Sequence, residues 1–203
     1  MDAIASLDKV VKYIDLPLQH YNVEILKAMR RPAFDYDELI KKIRTKIPNV
    51  AIRTAFIVGY PGETDEQFNE LYEFVKRSKF DKMGVFEYSR ERNTASYSML
   101  EQVPAKIKKQ RHKKLMTLQQ KISREINEKY VGQTLPCIVE GYTDEGIVLM
   151  RSEHDAPEID GMVYATTDKA VVPGDIENVV IERADEYDLS LIHISEPTRQ
   201  AEI

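Results

Sequence analysis

The chain changes its hydrophobic pattern part-way along. Over the first half, short β-branched and apolar runs alternate with stretches whose apolar positions recur every three or four residues. Val11–Leu16 predicts a strand that ends in Pro17-Leu18-Gln19-His20. Val23–Met29 predicts a short helix, stopped near Arg31-Pro32 because the residue ahead of a proline is pushed out of helical geometry. Asp35–Ile47 sets Leu39, Ile40, Ile43 and Ile47 on one face of an amphipathic helix. Ala51–Val58 is apolar or β-branched at most positions, the pattern of a strand buried on both faces of a parallel sheet. Gly59, Pro61 and Gly62 break that run, and Thr64 with Gln67 reads as a capping box opening a helix to about Ser78. Lys82–Tyr88 predicts the next strand. The order argues for parallel βα units with ligands at the carboxyl ends of the strands. Only three such strands are patterned, so the layer reads as part of a larger barrel.

Pro104 opens a long helical stretch to about Tyr130, with Ile107, Leu115, Leu118, Ile122 and Ile126 on its apolar side and Lys and Arg over the rest. The basic face reads as solvated surface, with nucleic-acid contact as the alternative. After Gly132 the pattern shifts to short β-rich runs, Leu135–Tyr142, Gly146–Arg151, Gly161–Ala165 and Asp175–Glu182, punctuated by Gly, Asp and Pro as in a small antiparallel barrel. The predicted organisation is therefore a partial α/β barrel over 1–102, a linking helix over 103–130, a β-barrel over 131–189 and a tail over 190–203.

Charge sharpens that division. The formal net charge of −5 conceals +7 over residues 1–130 and −11 over 131–189, where three basic residues face fourteen acids. Two domains with different electrostatic tasks are implied. At 42% apolar content the 203 residues can bury one or two cores. No long apolar run or targeting segment stands out, so a soluble cytoplasmic protein is the expectation. The single cysteine, Cys137, excludes an internal disulfide and a cysteine-rich metal site, and it reads as a packed core residue. Taken alone, the Gly59–Gly62 loop is either a tight βα turn or one wall of a ligand site.

Longer blocks decide between these. YIDLPLQHYNVEILKAMRRP (13–32), IRTAFIVGYPGETDEQF (52–68), VFEYSRERNTASYSM (85–99), DAPEIDGMVY (155–164) and GDIENVVIERADEYDL (174–189) together resemble the radical-SAM methylthiotransferases, in the family's order, over roughly residues 7–189. The match is nearest to the RimO type, which modifies an aspartate of ribosomal protein S twelve. The resemblance implies the carboxyl half of a radical-SAM partial TIM-like barrel followed by a TRAM domain. It implies a parent enzyme that uses S-adenosylmethionine and two [4Fe-4S] clusters. It also assigns contacts: Val58, Gly59 and Tyr60 by backbone to the adenine portion, Phe86 and Tyr88 as an apolar wall, Gln19 and His20 to the ribose or methionine part, and Arg30 or Arg31 to the carboxylate as a charge-assisted donor.

The departures from the family matter as much. Its clusters need two sets of three cysteines, and this chain has one cysteine in all. A fragment that begins inside the barrel, binds no cluster and is inactive by itself is expected. From Leu189 the sequence reads LSLIHISEPTRQAEI, which resembles an in-frame translation of a transposon-end sequencing adapter, so a tail without function is expected. The acids Asp144, Glu145, Glu153, Asp155, Glu158 and Asp160 fall in or near two adjacent loops of the second domain. They suit a cationic ribosomal protein as partner and repel phosphates. The alternatives are a MiaB-type enzyme acting on tRNA and a non-enzymatic RNA-binding TRAM module.

Overall fold

The computed structural model describes residues 1–167 and 169–190, so the tail expected over 190–203 lies, from residue 191 on, outside the described residues. The chain divides into two compact units, Met1–Ser123 and the part from Arg124 onward.

The first unit rests on a parallel sheet of order β1-β2-β3, with β1 at Tyr13–Asp15, β2 at Ala51–Val58 and β3 at Lys82–Glu87. Tyr13 lies opposite Ala51, and Arg53 opposite Lys82. A short helix α1 (Asp2–Ser6), not evident from the pattern, precedes β1. Helices α2 (Val23–Ala28) and α3 (Tyr36–Lys46) join β1 to β2, and α4 (Asp65–Ser78) joins β2 to β3. β1 is half the length the pattern predicts, because Pro17 has no N–H to continue the ladder and Val11 is left 53% exposed.

The starts of α2, α3 and α4 are chemically specified. Asn22 accepts from the N–H groups of Glu24 and Ile25 at the head of α2, and Asp35 accepts from Glu38 at the head of α3. Both halves of the Thr64–Gln67 capping box form at α4. Such caps satisfy otherwise orphaned donors and contribute about 1 kcal/mol each. Behind the sheet, the fully buried Phe56, Phe74 and Phe80 meet edge-on, with ring centroids 5.6–6.3 Å apart.

Helix α5 spans Ala105–Asn127, and its residues up to Ser123 belong to the first unit. Leu115 and Ile122 are buried, and the Gln119 side-chain amide donates to the Phe80 carbonyl at 2.9 Å. Arg111, predicted to lie on a solvated basic face, is 6% exposed and donates to the Glu63 carbonyl at 3.1 Å. The helix therefore closes the side of the α/β unit by meeting carbonyls that burial would leave unpaired. The division between units falls inside it rather than at its ends.

The second unit holds a six-stranded sheet of order β7-β4-β5-β6-β9-β8. Its strands are β4 (Thr134–Tyr142), β5 (Val148–Ser152), β6 (Val163–Ala165), β7 (Ile176–Val180), β8 (Arg183–Ala184) and β9 (Leu189–Ser190). Pairing is antiparallel except between β6 and β9. Inward side chains of β4, β5, β6, β7 and β9 join Val171 and Ile181 in one core around Cys137 and Met150, both fully buried. The register slips between Val139 and Gly141, a bulge that bends β4. The last two strands are too short to carry a period of their own, and the pattern did not reveal them. No described helix is long and apolar enough to cross a membrane.

Candidate functional site

At the carboxyl ends of β1, β2 and β3 lies a cavity of about 480 Å³. After β1 the chain turns through Gln19, which holds a left-handed φ of +72°, unusual without glycine. Its N–H donates to the Ala55 carbonyl and its carbonyl accepts from Ile57, both at 2.8 Å, so the residue is pinned beside β2. Its side chain lines the cavity with Ile57, Tyr60, Phe86 and Tyr88. The end of α2 adds Met29 and Arg30, the latter at φ +57°. Strained angles of this kind persist only where the surroundings enforce them, and they concentrate at binding sites.

Two tyrosines form the inner wall. Their rings meet edge-on at 5.3 Å, and the Tyr60 hydroxyl donates to the Ala28 carbonyl at 3.0 Å. Burial raises the Tyr60 phenol above its ordinary value. The Tyr88 hydroxyl is buried and has no hydrogen-bond partner among the described residues. A buried, unpaired hydroxyl costs about 1–3 kcal/mol, so this one is a place where a ligand would restore a bond. Phe86, by contrast, is 58% exposed at the outer edge.

Six of the nine residues named from sequence, Gln19, Arg30, Arg31, Tyr60, Phe86 and Tyr88, thus share one cavity. His20, Val58 and Gly59 stand behind it. The Val58 carbonyl accepts from the Tyr88 N–H at 2.9 Å and is occupied by the sheet. His20 is fully buried: its Nδ1 accepts from the Asn22 N–H at 3.0 Å, and its Nε2 lies 3.5 Å from the Glu63 carboxylate. That same carboxylate accepts from the Gly59 N–H and sits 3.2 Å from the Arg111 guanidinium. Glu63 and Arg111 were not singled out by sequence, although an acid following a Gly-x-Pro-Gly turn was the available signal. Ser89, Glu91 and Ser96 also line the cavity, and nothing in their spacing announced it.

Comparison with known proteins fits this geometry. A model of the Radical SAM superfamily matches residues 1–75, and a TRAM domain model matches residues 131–191. The ribosomal protein uS12 methylthiotransferase RimO of Caldanaerobacter subterraneus subsp. tengcongensis is 45% identical over 191 residues, 93% of this chain and 43% of that protein. The RimO protein of Desulforamulus reducens is 47% identical over 191 residues, 92% of this chain and 43% of its own length. Over more than nine-tenths of its length the chain is thus similar to radical-SAM methylthiotransferases. It spans less than half the length of these curated relatives.

The family's two kinds of cofactor fare differently on these residues. The cavity suits S-adenosylmethionine, with apolar walls, a cation at Arg30 and the unpaired Tyr88 hydroxyl. The iron–sulfur clusters find no ligand set: among the described residues no group of three or more His, Cys, Asp or Glu is placed to hold a metal ion. Cys137 is buried in the β unit, where burial and then the nearby Asp155 push its thiol up to about 12.

The acids of the TRAM domain are not equivalent. Asp144, Glu145 and Glu158 are exposed, and Glu153 is half-buried. Asp160 accepts from the Ala156 N–H at 2.9 Å and braces its own loop. Asp155 departs from expectation: it is 7% exposed, its carboxylate accepts the Ser152 hydroxyl, and a partner surface does not include it.

Proposed function

We propose that this chain supplies the S-adenosylmethionine grip and the TRAM domain of an enzyme that methylthiolates an aspartate of ribosomal protein uS12. The observation that carries the cofactor assignment is the cavity at three parallel strand ends with the buried, unpaired Tyr88 hydroxyl in its wall. In this reading Arg30 meets the carboxylate of the methionine part, Gln19 offers its amide to the ribose or methionine portion, and Ile57, Tyr60 and Phe86 flank the adenine. The Tyr88 hydroxyl gains its missing partner from the ligand. When bound, S-adenosylmethionine supplies the hydrogen-abstracting and methyl-donating chemistry, and the protein's residues bind it, orient it and shield it from water. The clusters are held by residues other than those described, so no step is assigned to them.

The choice of a protein substrate over RNA rests on charge. Residues 131–189 carry three basic residues against fourteen acids, whereas RNA binding draws most of its affinity from Lys and Arg on phosphates. An acidic surface including Asp144, Glu145 and Glu158 instead draws in a cationic protein, faster at low salt.

Titration calorimetry of S-adenosylmethionine against the wild-type chain and Tyr88→Phe tests the cofactor half. Weaker binding by the variant is expected, and equal binding would overturn the role of Tyr88. Joining this chain to the amino-terminal portion of the Caldanaerobacter relative and assaying uS12 methylthiolation tests the substrate half. A chimera that binds S-adenosylmethionine and modifies a tRNA stem-loop instead of uS12 would refute it.

A further inference from the structure

The space around Gly59 is taken, and what takes it is a lysine from another element. A Cβ at Gly59 would lie 2.1 Å from Cγ and 2.6 Å from Cδ of Lys108. The glycine is there to admit the lysine stem, which crosses the backbone at the end of β2. The Lys108 ammonium then donates to the Tyr88 carbonyl at 2.8 Å, at the end of β3, and stands 5.6 Å from the Tyr88 ring centre. One side chain of α5 therefore touches the residue before Tyr60 and binds the backbone of Tyr88, the two aromatic residues whose rings form the inner wall. One turn further on, Arg111 holds Glu63, which in turn takes the Gly59 N–H and faces His20.

We infer that Lys108 is a positioning residue for the cavity: by packing on Gly59 and tying the Tyr88 carbonyl, it sets the spacing of the Tyr60 and Tyr88 walls against which the ligand is held. This rests on the reading that the cavity takes S-adenosylmethionine, but the mechanical part stands on the contacts alone. Lys108 does not line the cavity, so it acts through the two strand ends rather than by touching ligand. A stem without the ammonium still fills the space at Gly59 yet leaves the Tyr88 turn untied. The two contributions can be separated for that reason.

The test uses the full chain as wild type, Lys108→Met, Lys108→Arg and Lys108→Ala, with S-adenosylmethionine titrated by calorimetry and amide hydrogen exchange followed at residues 59–63 and 87–89. Lys108→Met is expected to weaken binding about tenfold, the worth of one charge-assisted hydrogen bond in an equilibrium, and to speed exchange in both segments with the melting temperature little changed. Lys108→Arg, which keeps a cationic donor, recovers most of the affinity. Lys108→Ala, which also empties the space at Gly59, loses more than Lys108→Met in both measurements. Unchanged exchange and affinity in Lys108→Met overturn the inference, whether or not Lys108→Ala folds. Failure of the wild type to bind S-adenosylmethionine refutes the cofactor reading instead, and the exchange data then still decide whether Lys108 fastens the strand ends.

Discussion

Replacing Gly59 with alanine should be the most damaging single-methyl change in the first unit, and its size can be worked out. Gly59 sits at φ +73°, where an L side chain costs roughly 1–2 kcal/mol. The added Cβ also falls 2.1 Å from Lys108 Cγ, so the lysine must swing aside. That gives up its 2.8 Å bond to the Tyr88 carbonyl, a charged donor's bond worth about 1.5–3 kcal/mol. The expected total is about 2.5–5 kcal/mol. Gly62 provides the control within the same loop. It has φ +83°, but the nearest atom to its added Cβ is the Glu101 Oε2 at 3.1 Å, the far end of a flexible side chain. Gly62→Ala should cost roughly the backbone strain alone, about 1–2 kcal/mol. Urea unfolding followed by far-ultraviolet circular dichroism is a suitable assay, because α1–α4 and most of α5 lie in the first unit while the second is mainly strand. The double variant Gly59→Ala with Lys108→Ala closes the cycle, and its cost should be less than the sum of the singles because the clash exists only when both side chains are present. A Gly59→Ala cost within about 1 kcal/mol of Gly62→Ala, near the usual effect of an unremarkable substitution, would show that the lysine does not occupy this space.

Two further expectations concern ionisable groups. Asp37 accepts from Arg77 Nε and Nη2 at 2.7 and 2.8 Å and from the Tyr21 hydroxyl at 2.8 Å, and the Arg77 hydrogen bond foremost holds its carboxyl below the ordinary 3.8. Because the folded value is the lower one, this contribution is present above the unfolded value and is lost as pH falls through the folded one. The pair is partly solvent-exposed, so Asp37→Asn should cost under about 1 kcal/mol at neutral pH, and the gap between wild type and variant should close below pH 3.8. A gap that persists at pH 2 would contradict this sign. Cys137, with its thiol pushed up to about 12 by burial, should react with iodoacetamide only as fast as the β unit opens, and fast labelling of the native chain would refute its burial. The same lone thiol cannot replace three cluster ligands, so anaerobic reconstitution of the 203-residue chain should give no iron–sulfur absorbance.

Legibility of the fold followed the strength of local signals. The β2 run is apolar or β-branched nearly throughout, and its predicted bounds coincide with the strand found, Ala51–Val58. The Thr64–Gln67 box likewise marks the start of α4 to the residue, since the signal is the hydrogen-bond chemistry of the cap itself. Where the outcome depends on distant partners, the pattern misled. Arg111 and Gln119 belong by type to a wet helix surface, yet α5 buries both because the Glu63 and Phe80 carbonyls need donors. β8 and β9 have two residues each and owe their existence to pairing alone.

The site shows the same limit in a sharper form. Gln19, Tyr60, Phe86 and Tyr88 were named through the family resemblance, and they do line one cavity at the ends of parallel strands, where such sheets place their ligands. Gly59 was legible as a position requiring closeness, but the sequence could not say closeness to what. A glycine after a strand invites the inference that a ligand comes near, and here the approaching group is the stem of a residue forty-nine positions later. Asp155 is the counterpart in the second unit: an acid in a loop reads as a surface charge, yet Ser152, three residues earlier, turns it inward by donating its hydroxyl hydrogen to the carboxylate. Small size and charge state what a position can tolerate, while contact order decides what it meets. The cavity's walls are therefore set from outside the loops that form it, and substitutions at Lys108 of α5, which does not itself line the cavity, should alter binding as surely as substitutions within it.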